Sequence, residues 1–197
     1  MNLHIKLIFE MKKIIAIILV ISIFCSISFA QSNNHYTSVK VDSKKGFDNV
    51  TDSVLKEAIR LLELTINSDE FKSQILSSKF SRNKGYSNSQ ISDLFKQGDE
   101  YGNNIDYIVN LNLEIYSDYA GGGEVGVTTL KDHVTHTYNK YIIDNGAACY
   151  AAHLAHEYCH VLGFTHPKYH FLGKEKKQSV PYVIGNIVSS ILKVSCP

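Results

Sequence analysis

The eleven residues HEYCHVLGFTH at positions 156–166 constrain this chain more than any other stretch of it. Two histidines four apart can act together on a helix, where four residues advance about one turn and return to within about 40° of the starting direction. The spacing of His156 and His160 therefore predicts a helix with both imidazoles on one face. Glu157 lies about 100° round from His156, near enough to reach a water on an ion held there and badly placed to ligate that ion beside both rings. Gly163 predicts the helix end, because a residue without a Cβ takes a left-handed conformation at little cost and lets the chain swing back. His166 then becomes the third ligand. Three side-chain ligands leave one tetrahedral position open, which distinguishes a catalytic zinc from a structural one. His156, His160 and His166 are thus the expected ligands of a single catalytic Zn2+, and Glu157 the expected general base. A bare H-E-x-x-H is weakly specific, and the glycine and third histidine at fixed offsets raise its specificity by orders of magnitude.

The first thirty residues predict no part of the fold. Met11-Lys12-Lys13 opens a basic segment, Ile14 to Phe24 is an apolar run, and Ser28-Phe29-Ala30 supplies small residues at a cleavage site. This is the pattern of a secretory signal peptide cut near Ala30, with Met11 the expected start, so the mature chain is expected to be secreted or periplasmic. The apolar run falls short of the roughly 20 residues that span a bilayer, and no membrane contact is expected of the mature form. Residues 31–197 suit a single domain. The formal charge of the full chain is +1. Removing the basic leader leaves the rest close to neutral, which gives no ground for expecting a nucleic-acid partner.

Periodicity predicts the element order. Tyr36 to Val41 reads as a strand, and Thr51 to Ile66 as a helix with Val54, Leu55, Ala58, Ile59, Leu61, Leu62 and Ile66 at helical spacing. Residues 69–97 predict one or two shorter helices around a turn at Asn83-Lys84-Gly85, with Ser87 and Gln90 as a capping box. From Ile105 the period changes to two: Val109, Leu111, Leu113 and Ile115 alternate with Asn110, Asn112, Glu114 and Tyr116. Gly121-Gly122-Gly123 predicts a turn, Val125 to Leu130 a second strand and Thr135 to Ile142 a third. Asn145-Gly146 breaks that pattern, a helix follows from Ala147, and Ile184 to Val194 predicts a last helix. The fold class expected is α+β, a mixed twisted sheet with helices packed on it.

The motif HEYCHVLGFTH is similar to the zinc-binding consensus of the metzincin metallopeptidases, and GGGEVGVTT resembles their substrate-binding edge strand with its glycine-rich entry. The resemblance spans roughly residues 36–197, and its specific part is the eleven-residue motif. It implies an upper subdomain to about residue 163, a cleft with zinc at its floor and a small lower subdomain over residues 164–197. It also implies a secreted, monomeric endopeptidase in which Zn2+ activates a water, Glu157 takes its proton, and a peptide or protein substrate lies antiparallel along Val125–Leu130. The chain departs from the family in carrying no methionine after Met11. Ser179-Val180-Pro181-Tyr182-Val183 stands where the family's methionine turn belongs, so Pro181 or a neighbouring valine is expected to floor the site. Tyr182 has two readings, a catalytic group reaching the metal or a substrate oxyanion, and a ring packed beneath the site. Two further functional classes stay open: a zinc-binding interaction module without turnover, and a zinc amidase acting on cell-wall peptides.

Three cysteines follow the leader, Cys149, Cys159 and Cys196, without the close pairs of a structural zinc site. They allow at most one internal disulfide. A last helix returning across the lower subdomain favours Cys149–Cys196, with Cys159 buried. Among the other histidines, His153 is expected to face solvent, and His133, His136 and His170 to lie at the surface or along the cleft.

Overall fold

The computed structural model describes residues 35–98, 100, 105–117, 125–129, 131–167 and 176–197. The expected leader with its cleavage site at Ala30, the turn at Gly121-Gly122-Gly123, Leu130 and His170 lie outside the described residues.

The chain is a mixed α+β structure. Strand β1 (Ser38–Lys45) is followed by helices α1 (Asn49–Ile66), α2 (Asp69–Ser77) and α3 (Asn88–Gln97), strands β2 (Ile108–Tyr116), β3 (Gly126–Thr129) and β4 (Val134–Tyr138), and helices α4 (Asn139–Val161) and α5 (Val180–Ile191). The strands form one sheet in the order β1-β2-β4-β3, with β1–β2 and β2–β4 parallel and β3–β4 antiparallel. The three helices between β1 and β2 supply the crossover that a parallel pair requires. Among the described strands β3 has β4 as its one neighbour and so stands at the sheet edge, as the resemblance implied for this segment.

Local chemistry sets the helix starts. α1 begins two residues before Thr51 because the Asp48 carboxylate accepts hydrogen bonds from the Val50 and Thr51 amides while Thr51 reciprocates with the Asp48 amide, a capping box. Ser87 and Gln90 form the expected box at the start of α3. Leu55, Ala58, Leu62 and Ile66 turn the apolar stripe of α1 inward. α4 carries buried residues on every side, from Tyr150 and Leu154 to Tyr158 and Cys159, as befits a helix held between α1, α5 and the sheet.

The third predicted strand stops early. Thr135 to Thr137 lie in a strand as expected, but the strand ends at Tyr138 and Asn139 begins α4. Tyr141 and Ile142 are both buried, and adjacent side chains can share an interior on a helix, whereas successive strand residues point to opposite faces. Gly146, at φ 70° and ψ −175°, breaks α4 into two helical pieces where the sequence predicted an interruption. The last helix begins at Val180 rather than Ile184, with Ser179 as its N-cap and Pro181 in its first turn, where a missing amide hydrogen costs nothing. Residues 179–183 are therefore a helix start rather than a tight turn. No described helix is long and apolar enough to cross a membrane.

Cys149 and Cys196 form a disulfide with Cα atoms 5.5 Å apart, and Cys159 is a buried free thiol, both as the sequence predicted. The bridge joins α4 to the segment that follows α5.

Candidate metal centre

His156 and His160 project from the C-terminal half of α4, and the end of that helix determines where the third histidine falls. Gly163 adopts φ +83°, its amide donates to the His160 carbonyl at 2.9 Å, and the Phe164 amide donates to the Cys159 carbonyl at 2.9 Å. This pair of bonds is a Schellman motif with glycine at C′. Phe164 is fully buried and meets Tyr86 edge-on, so the reversal is anchored, and His166 follows two residues later.

The ligand atoms of His156, His160 and His166 lie within 4.8 Å of one another. The Nε2 atoms of His156 and His166 are 3.1 Å apart. Two nitrogens on one tetrahedral ion, at zinc–nitrogen bonds of ~2.0–2.1 Å, would stand about 3.3 Å apart. Hydrogen bonds on the far side of two rings orient them. His160 Nδ1–H donates to the Phe164 carbonyl at 2.8 Å. His166 Nδ1 is 2.9 Å from Ser179 Oγ, and since that hydroxyl gives its own proton to the Lys176 carbonyl at 2.7 Å, the imidazole is the donor. Both rings therefore keep an unprotonated Nε2 for a metal, the arrangement expected of ligating histidines.

Burial holds the three rings neutral. The His156 pKa lies well below the ordinary imidazole value through burial, reinforced by His153, His160, His166 and Lys176. Burial lowers that of His160 against the opposing effect of the Phe164 carbonyl. His166 is lowered to about 4 by burial, His160 and Lys176. Neutral, oriented imidazoles in this cluster fit a divalent metal ion, and the three histidines together could hold one.

Glu157 stands beside this cluster rather than within it. Its Oε1 is 4.0 Å from His156 Nε2, and its Oε2 accepts a hydrogen bond from Thr128 Oγ1 of β3 at 2.7 Å. Thr128 gives its proton to the carboxylate, so Thr135 Oγ1, 2.9 Å away on β4, donates to Thr128. The carboxylate is thus held from the sheet edge at 4 % exposure. Tyr182 approaches from α5: its ring centroid is 4.9 Å from that of His156 and 4.8 Å from that of His166. Gly185, one turn further on, sits against His156, where a Cβ would come 3.3 Å from that of the histidine. From α5, then, the ligands meet an aromatic ring and a glycine backbone, where the sequence had suggested Pro181 or a valine as the floor.

His153 does not face solvent. It is buried between Tyr141 and Tyr150, its Nε2 lies 3.1 Å from Thr137 Oγ1, and its Nδ1 lies 3.7 Å from Glu157 Oε1. Burial, followed by the influence of His160, lowers its pKa to about 3. Gly126 lets β3 pass directly over this ring, since a Cβ there would come within 2.6 Å of His153 Nε2. His136 is also buried, stacked under Tyr116 on the other face of the sheet with Nδ1 3.4 Å from Glu114 Oε2. His133 occupies the turn before β4.

The sequence reading missed Thr128, Ser179 and Lys176. Thr128 and Thr135 come from different strands, and nothing local marks either as a support for Glu157. Ser179 fell in the segment taken for the methionine turn; the structure makes it the N-cap of α5, with its hydroxyl accepting from His166 and donating to the Lys176 carbonyl. A cleft of about 570 Å³ runs past the histidines, bounded by β3 on one side and α5 on the other. No protein-family model, curated protein or solved structure matches the chain.

Proposed function

We propose that this protein is a secreted, monomeric zinc-dependent endopeptidase of metzincin type, with His156, His160 and His166 as the metal ligands and Glu157 as the general base. The observation that carries this reading is the convergence of three neutral imidazoles beside a carboxylate, in a cleft bordered by a sheet edge. Bound there, zinc would lower the pKa of a water toward ~7 and polarise a carbonyl. Glu157 takes the proton of the attacking water and returns it to the leaving nitrogen. Thr128 keeps the carboxylate facing the cleft during both transfers. β3, the edge strand among the described residues, offers its outer side to an extended peptide, and Val127, 49 % exposed, stands on that strand. Tyr182 donates to the substrate carbonyl oxygen as negative charge builds on it.

Metal analysis after dialysis should find one ion per folded chain, lost in His166→Ala. Glu157→Gln should retain that ion and the fold yet lose turnover by at least about 100-fold, the scale of general acid–base catalysis. Casein and peptidoglycan fragments should be assayed in parallel. Cleavage of fragments alone would replace the endopeptidase reading with a cell-wall amidase, and metal retention without turnover of either would leave a binding module.

A further inference from the structure

Lys176 lines the same cleft as the three histidines and Glu157. Its ammonium sits 5.3 Å from the centroid of the Tyr182 ring, which itself packs on His156 and His166. Among the described side chains that line the cleft, Glu157 is the acid and Lys176 the lysine or arginine. Glu157 is already bound to Thr128 on the β3 side. No described carboxylate lies within 4.0 Å of Lys176. A lysine with a free choice would carry its ammonium to open water. This one is half-buried and is held over the face of a ring that packs on His156 and His166.

We propose that Lys176 forms a carboxylate-recognition subsite next to the metal, so that the preferred substrates carry an acidic side chain or a free C-terminal carboxylate beside the bond to be cut. The inference rests on the peptidase reading above and names the substrate class of that site. A cation over Tyr182 gives up little hydration to meet a carboxylate, because the ring already replaces part of its water. The pairing is a charge-assisted hydrogen bond in a partly enclosed cleft, stronger than one between neutral groups. A cation–π contact serving packing alone predicts instead no preference among ligands.

Binding to the zinc-loaded protein tests this without turnover. Three hydroxamate-capped probes suffice: aspartic acid α-amide, alanine with a free carboxylate and alanine amide. Calorimetry should show one or both carboxylate probes binding about tenfold tighter than alanine amide, with the advantage shrinking as ionic strength rises. The first two probes distinguish side-chain from terminal recognition. Lys176→Met should abolish the advantage with metal content unchanged, and Lys176→Arg should preserve it. Equal affinities in the wild-type chain, or an advantage surviving in Lys176→Met, would overturn the subsite alone. Carboxylate preference without cleavage of any peptide would uphold the subsite and overturn the peptidase. A folded chain that takes up no metal would overturn both.

Discussion

At the scale of single residues, the core of this protein holds polar groups whose partners come from distant parts of the chain. Glu100 is 8 % exposed, and its Oε1 accepts from the Asn110 amide at 2.6 Å and from the Tyr158 hydroxyl at 2.9 Å. Tyr158 lies between His156 and His160 in sequence but points away from them, fully buried, and through Glu100 it ties α4 to β2. Burial raises the Glu100 pKa above the ordinary glutamate value, although both hydrogen bonds pull it down. A raised carboxyl pKa means that the fold binds this proton more tightly than the unfolded chain does. Its contribution to stability is complete below the unfolded value of about 4.3 and is lost as pH rises through the folded one. Glu100→Gln keeps the accepting oxygen and removes the buried charge. It should be at least as stable as the parent at pH 7–8, with the difference vanishing near pH 4. Urea midpoints across that range check the sign, and a variant weaker at pH 8 would refute it.

At the scale of elements, the centre depends on how α4 ends. The Schellman bonds of Gly163 and Phe164 satisfy the last carbonyls of the helix and aim the following residues back at His156 and His160. A side chain at φ +83° is strained, and an alanine Cβ would stand 2.9 Å from Lys84 Nζ, the movable end of a flexible side chain. The backbone rather than the neighbour then decides the effect. Gly163→Ala should cost about 1–2 kcal/mol of folding stability, the usual penalty for a left-handed alanine. It should also weaken metal retention, because His166 follows the altered turn. Chelator competition beside chemical denaturation would measure both, and an unchanged affinity would show that Phe164 and Ser179 place His166 without help from the glycine.

At the scale of the whole molecule, the Cys149–Cys196 bridge fastens the segment after α5 to α4, seven residues before the first ligand, and closes a separation of 47 residues. Loop-closure entropy assigns such a link about 3–4 kcal/mol of stabilisation through the unfolded state. The closed loop contains every proposed ligand together with Ser179, Tyr182 and Gly185. Reduction should therefore lower the unfolding midpoint and also speed the loss of metal to a chelator. A reduced protein that unfolds earlier but holds its metal as firmly would confine the bridge to a stabilising role. Cys159 is fully buried, so it should stay unmodified by alkylating reagents until the chain unfolds.

What the sequence by itself determined is periodic or contiguous. The stripe of α1, the alternation of β2, the Ser87–Gln90 box and the ligand spacing on α4 each repeat within a few residues, as does the glycine that ends that helix. Such features arise from the geometry of a single element and need no partner to be read. Cys149–Cys196 was legible for a related reason, since the element order brings the chain end back across α4. Tertiary structure alone decided the rest. Whether Thr135 to Ile142 continued as strand depended on which face met the core, because alternation and a helical stripe overlap in so short a run. His153 looked like a surface residue and became the buried neighbour of Glu157 once a glycine let β3 lie over it. Thr128, Ser179 and Lys176 acquire their contacts from residues 29, 13 and 6 positions away. The approach of one side chain to another across packed elements leaves no period in the sequence, and only packing sets it.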